Sequence, residues 1–301
     1  MTSTQSLRTA QAGRRPRGGG LPRPRRAGLR ALPVVPAIAV VVVALIIPVV
    51  ILLSQSFFDP DFTLDNYTKL FADETSMTVL GRTLGMSAIV TVVTLLLAYP
   101  YAAAMTMVSD KWRAVMLAIV LLPFWTSLMA RTFAWIVLLQ ENGPVNALLS
   151  VVGLGDIKLG GTAIGVVIGM TQVLLPFMVL PLYSVLSTID LRLVTAAQSL
   201  GARPLVAFAK VYLPLSMPGI FAGITLVFIM SIGFYVTPAL LGSPREAMVA
   251  QLIDTRIIRM LDFAGGGALS LVLIAIILVL LGVVTRFVGL SQALGAGATK
   301  R

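Results

Sequence analysis

The chain has 301 residues, 57% of them hydrophobic and 12% charged, with a net charge of +11 and a mean hydropathy of +0.96. Soluble domains carry about 25% charged residues, so this composition excludes a soluble core and implies an all-α, polytopic membrane protein. The chain lacks cysteine and histidine, which excludes disulfides, thiol chemistry, zinc sites and histidine switching; no cofactor or metal site is expected.

Residues 1–31 hold eight arginines, no acid and a Gly18-Gly19-Gly20 run. They read as a disordered basic cytoplasmic tail. It sets orientation and lies against anionic membrane lipid. Nucleic acid is not expected as a partner, because no aromatic interleaving or folded module accompanies the charge. The next apolar run is too long for a signal-peptide core and has no small-residue cleavage site, so it is expected to stay as a span.

Six apolar segments follow one another, at about 33–55, 80–107, 114–138, 161–185, 216–241 and 266–289. Each is long enough to cross a hydrocarbon layer of ~30 Å. Between the first two, Leu64-Asp65-Asn66-Tyr67 predicts a short capped interfacial helix. Gln140 to Asn146 is a turn cluster. The weakly apolar piece after it, to about Leu154, reads as a lateral or re-entrant element. Residues 242–264, with Asp254, Arg256, Arg259 and Asp262, read as an outer amphipathic helix. The expected organisation is a tail at 1–31, a first span with outer segment at 32–78, a core at 79–289 and a second cytoplasmic tail at 290–301.

Charge gives the orientation. With the N-terminus inside, the cytoplasmic pieces 1–32, 108–113, 186–215 and 286–301 hold sixteen Lys/Arg and two acids. The rest of the chain holds seven basic residues and ten acids. This asymmetry predicts N-in and C-in.

The spans contain no Asp or Glu. Ion-coupled transporters use intramembrane carboxylates, so no ion gradient is expected to drive this chain. Acid–base, nucleophilic and metal chemistry lack their residues too, so no catalytic site is expected. No phosphate-binding loop is present. Energy must therefore come from a partner, unless the chain is a stand-alone channel or facilitator. Small residues and prolines do occur at depth, including Pro123, Pro176, Pro181 and Pro238 with Gly169, Gly223 and Gly233. They fit close helix packing and local kinks. The stretches Pro123–Ser127 and Tyr235–Pro238 are candidates to line a path.

The 186–215 interval is the long cytoplasmic loop. Thr188 or Asp190 can cap a helix running to Leu200. Gly201 supplies the left-handed residue that ends it, and Pro204 suits the first turn of a second short helix. Ala196 and Ala197 leave a bare helix surface on which a partner can rest.

Thr195-Ala196-Ala197, Gly201, Val211, Leu213 and Pro214 reproduce the spacing of a known signature, Glu-Ala-Ala, Gly, a β-branched residue and Leu-Pro. The loop resembles the coupling loop of permease subunits of binding-protein-dependent ABC importers. The departure is Thr195, where the family has Glu. Leu122–Ser127, Arg131–Trp135, Leu175–Tyr183 and Val236–Gly242 are similar to spermidine/putrescine importer permeases.

The resemblance implies a type I (MetI-like) permease core in the bacterial cytoplasmic (inner) membrane. It implies two ABC ATPase subunits docked on 189–212, a second permease subunit and a periplasmic or extracellular solute-binding protein. It implies a polyamine or a related nitrogenous solute. Many such permeases carry an acid just before the Phe/Tyr-Val-Thr-Pro stretch, whereas Ile232-Gly233-Phe234-Tyr235 has none. Trp125, Thr126, Arg131, Tyr235 and Thr237 are the candidate pathway residues.

Overall fold

The computed structural model describes residue 36 and residues 40–58, 61–151, 153 and 157–296. The arginine-rich segment 1–31, the start of the first expected span and the residues after 296 lie outside the described residues. Among the described residues every regular element is helical, and the one extended feature is an isolated bridge between Phe58 and Phe62. The chain divides into two units, Met1–Val50 and Ile51–Arg301.

A wide π turn, Val42–Ile46, precedes α1 (Ile47–Gln55). The short helix expected near Leu64 is α2 (Asp65–Ala72), and the Asp65 amide donates to Thr63 Oγ1 at 3.1 Å. Asp73 then starts α3 (Glu74–Met107), its carboxylate accepting the amides of Thr75 and Ser76. At 34 residues, α3 is about 50 Å long and must project beyond the hydrocarbon layer.

α4 (Asp110–Leu121) runs into a 3₁₀ turn, Leu122–Trp125, and α5 (Leu128–Leu138) leaves at an angle of 100°. The expected span at 114–138 is therefore broken, within the Pro123–Ser127 stretch where a kink is expected. Ser127 accepts the Ala130 amide and opens α5 as a new capped helix, which is why the apolar run does not continue as one rod.

α6 (Pro144–Val151) falls in the segment expected to be lateral or re-entrant. α7 (Ala163–Leu186) follows, and then α8 (Arg192–Ser199) and α9 (Pro204–Ala207). A π turn at Phe208–Tyr212 joins α9 to α10 (Leu213–Ile232).

The expected span to residue 241 also breaks, at Gly233–Tyr235, before α11 (Val236–Leu241). Pro238 is thus not a kink within a span. It sits in the first turn of α11, where a missing amide costs nothing.

The expected outer helix at 242–264 is instead three pieces: a 3₁₀ turn at Pro244–Glu246, α12 (Val249–Asp254) and a π turn at Thr255–Arg259. Leu261 has a φ of 57° and turns the chain, and Asp262 accepts the Gly265 amide to start α13 (Phe263–Ala296).

In the second unit, α7 packs against α3 and α10, which also pack on each other. Val90, Ala98 and Met105 of α3, Met170, Leu174 and Met178 of α7 and Val227 of α10 are buried in one cluster. Between helices in lipid the hydrophobic effect is weak, so close fit decides association. Gly223 supplies that fit: a Cβ there would lie 2.5 Å from Met178 Sδ.

A second cluster joins α2, α3, α12 and α13 through Leu70, Val79, Leu80, Val249 and Leu269. Polar contacts fasten it. Thr83 Oγ1 accepts the Val249 amide at 2.9 Å, and Arg256 donates to Asp73 Oδ2 and Ser76 Oγ, each at 2.7 Å. The Ser76 hydroxyl, foremost, with the amides of Thr75 and Ser76 and the Arg256 charge, holds the Asp73 carboxyl below its ordinary range against the opposing effect of burial.

By length and composition, four helical stretches among the described residues can cross a membrane: Glu74–Met107, Ala163–Leu186, Pro204–Ile232 and Phe263–Val283. The bent pair Asp110–Trp125 and Leu128–Leu138 makes a fifth if counted as one span.

Candidate functional site

The first candidate is the α8–α9 hairpin. Thr188 does not cap α8, because its hydroxyl donates back to Val185 O at the end of α7. Asp190 does the work from two residues upstream, its Oδ1 accepting the Arg192 amide at 2.9 Å. At the other end Gly201 has a φ of +91°. Its amide donates to Gln198 O at 2.9 Å, and the Ala202 amide donates to Ala197 O at 3.1 Å. This paired closure is a Schellman turn, which needs a residue in the left-handed region. Arg203 is extended, and Pro204 opens α9 as its first residue.

The signature residues divide by exposure. Thr195, Ala196, Gly201 and Pro214 are exposed; Ala197, Val211 and Leu213 are half-buried. Leu200 and Leu205, either side of the turn, are 89% and 82% exposed. The hairpin is anchored below by Ala207 and Tyr212, which are buried, and by edge-on and stacked ring contacts of Phe208 with Tyr99 and Tyr212. The result is a stiffly rooted tip whose crest is apolar at Leu200 and Leu205, with the exposed Arg203 between them. Thr195 adds no charge to it; its hydroxyl donates to Leu191 O within its own helix.

The second candidate is the pair of helix breaks. At the α4–α5 break the Arg131 side chain folds back over the turn. Its Nη2 donates to Pro123 O, to Thr126 O at 3.1 Å and to Thr126 Oγ1 at 3.0 Å. The guanidinium thus adds donors to carbonyls at the bend, which lipid could not do. Trp125, at the same break, is 89% exposed.

At the α10–α11 break Tyr235 is half-exposed, and its hydroxyl donates to Asp254 Oδ2 at 3.3 Å. Thr237 is only 1% exposed, with its methyl group against the Gly169 backbone of α7. The structure brings Trp125, Thr126 and Arg131 together, sets Tyr235 at the second break and buries Thr237 between helices. α5 packs on α11, so the elements that follow the two breaks are neighbours. The far end of α11 borders a cleft of about 410 Å³ lined by Leu139, Glu141, Lys158, Gly161 and Leu241.

Sequence reasoning passes over two of these partners. Gln172 of α7 accepts the Trp135 Nε1 hydrogen at 2.6 Å. It is the sole carboxamide in its apolar run, which is a usable signal. Asp254 reads only as one charge on an amphipathic helix, and nothing in the sequence points it at Tyr235.

Residues 95–290 match the family described as binding-protein-dependent transport system inner membrane component. The spermidine/putrescine transport system permease protein PotB of Haemophilus influenzae is 36% identical over 251 residues, 80% of this chain and 87% of that protein. PotB of Escherichia coli is 36% identical over 220 residues, 72% of this chain and 80% of that protein. A probable molybdenum ABC transporter permease of Haloferax volcanii is 30% identical, covering 69% of this chain and 75% of that one. Among solved structures, a bacterial ABC transporter that imports alginate superposes with a TM-score of 0.64 at 18% identity, over 86% of this chain and 94% of that one. The same kind of transporter with its alginate-bound periplasmic protein gives 0.67 at 19%, over 90% and 95%.

Proposed function

As a member of the family of binding-protein-dependent transport system inner membrane components, this chain is a multi-pass permease subunit of an ABC importer, not an enzyme, and we propose that its solute is a polyamine such as spermidine or putrescine. The identity to PotB over most of the chain supports that choice of solute. Two ATPase subunits dock on the α8–α9 hairpin from the cytoplasm. A second permease subunit completes the path, and a solute-binding protein loads it from outside. The charge asymmetry supports an orientation with both termini inside. Residues 33–55 and the bent pair 110–138 then serve as the first and third of six spans.

The observation that carries the coupling role is the hairpin itself. A conformational change can be driven only by contacts that differ between two states. A lever must be stiff enough to transmit the difference. The Schellman turn at Gly201 fixes the tip, and Tyr212 roots it at the start of α10. Closure of the ATPases then displaces α10, and with it α3 and α7, which pack on it. The exposed Leu200 and Leu205 give the tip an apolar surface for a groove in the ATPase. Thr195 gives that contact no carboxylate, so shape and apolar surface carry most of it.

Uptake of labelled spermidine into proteoliposomes tests this. The assembly of this chain, its companion permease, ATPases and loaded binding protein should accumulate solute only with ATP on the cytoplasmic side. ATP-independent flux through this chain alone would overturn the importer reading in favour of a channel.

A further inference from the structure

We propose that Asp254 supplies the carboxylate of an ammonium-binding site at the break between α10 and α11; this rests on the polyamine reading above. Three observations meet at this break. Asp254 accepts the Tyr235 hydroxyl at 3.3 Å and, among the described residues, is in no salt bridge. Arg256, the nearest cation in sequence, is turned away to Asp73 and Ser76. α10 is a 20-residue helix ending at Ile232, so its carboxyl end brings partial negative charge to the break.

These features suit a cation that brings hydrogen-bond donors. An ammonium group has three donors and no acceptor. It can pair with the Asp254 carboxylate and approach the ring of Tyr235. The helix end offers further acceptors. Gly233 adds no side chain, and a Cβ there would meet nothing within 4 Å, so the break has room. Broken helices whose carboxyl ends face a cation are a recurrent solution for transport sites. A carboxylate on the outer α12, rather than on a span, keeps the charge out of the hydrocarbon layer, where it would be costly. The site stands at the outer mouth, where solute leaves the binding protein.

Two measurements test it in the assembled importer. The first compares spermidine uptake by the parent, Asp254→Asn and Asp254→Glu. Loss of one ionic contact of about 1.4 kcal/mol corresponds to about a tenfold loss. The Asn variant should fall by about that factor, the Glu variant should recover most of it, and ATP hydrolysis should continue in both. Uptake by the Asn variant equal to the parent, or equal loss in both variants, would overturn the proposal.

The second measurement does not depend on transport. Tyr235→Cys in this cysteine-free chain should react faster with a cationic than with an anionic methanethiosulfonate reagent. Adding Asp254→Asn should remove that preference, and an unchanged preference would overturn the proposal. A parent importer that moves only neutral or anionic solutes would refute the polyamine reading itself. Normal spermidine uptake by the Asn variant would refute the Asp254 assignment alone.

Discussion

Replacing Gly201 by Asp isolates the coupling hairpin from the rest of the permease. At a φ of +91° an L-residue is strained by about 1–2 kcal/mol. No heavy atom lies within 4 Å of the added Cβ, so packing adds nothing to that cost in the isolated chain. The two amide bonds that close the turn contribute roughly 1–3 kcal/mol together. The strain is comparable with the energy that holds the tip in one geometry, and it is small beside a folding stability of about 5–15 kcal/mol. The variant should insert and assemble the core helices but lose ATP-driven uptake at least tenfold.

Gly201→Ala carries the same backbone strain without the charge. The difference between Ala and Asp in uptake therefore reports the charge placed on the docking face. The assay is ATP-dependent uptake in proteoliposomes, with ATP hydrolysis measured on the same preparation. Parent-level uptake by a fully inserted Gly201→Asp protein would refute the assignment of this hairpin as the coupling lever.

Three further outcomes are expected. Gly223→Val places a branched side chain where Met178 Sδ already sits; over-packing of this kind costs about 1–3 kcal/mol and should lower the thermal midpoint of the detergent-solubilised protein, with uptake falling only as folded protein is lost. Because the Asp73 carboxyl is held below its ordinary range in the folded chain, the stabilisation it provides is fully present above the unfolded carboxylate range. It is lost as pH falls through the depressed native value. Thermal unfolding between neutral and acid pH should show this decline, and Asp73→Asn should flatten that part of the curve. Cysteine at the exposed Trp125 should react with a membrane-impermeant thiol reagent at a rate that changes with nucleotide state. Cysteine at the buried Thr237 should stay unreactive, and equal labelling at both would contradict the placement of these residues.

The sequence makes the hairpin legible because each of its devices is a single-residue requirement. Gly201 is needed for a positive φ and Pro204 for a helix start, and both leave their mark in residue type. The two breaks are harder to see. Hydropathy over 114–138 or 216–241 measures only how apolar a run is, and apolarity carries no information about direction. The signs are small: Ser127 capping α5 and Gly233 ending α10. Arg131 is visible as a charge in an apolar run, but its role as a cover for the carbonyls of Pro123 and Thr126 depends on a bend the pattern does not encode. Pro238 shows the same ambiguity, since a proline marks a kink or a helix start depending on what precedes it. The Tyr235–Asp254 contact joins residues 19 apart across an irregular segment, and no periodicity predicts such a pair.

The apolar crest of the hairpin also bears on what happens to a copy that finds no ATPase. Leu200 and Leu205 stand almost bare at 89% and 82% exposure, either side of the turn at Gly201, and covering such a side chain contributes about 1.5–3 kcal/mol. An orphan subunit therefore presents a pair of sticky residues to whatever it meets, whereas an assembled one hides them. On the proposed docking, the two leucines that would grip an ATPase make solitude hazardous for this chain, so synthesis in step with that partner would be a physical need of the hairpin and not only a matter of stoichiometry.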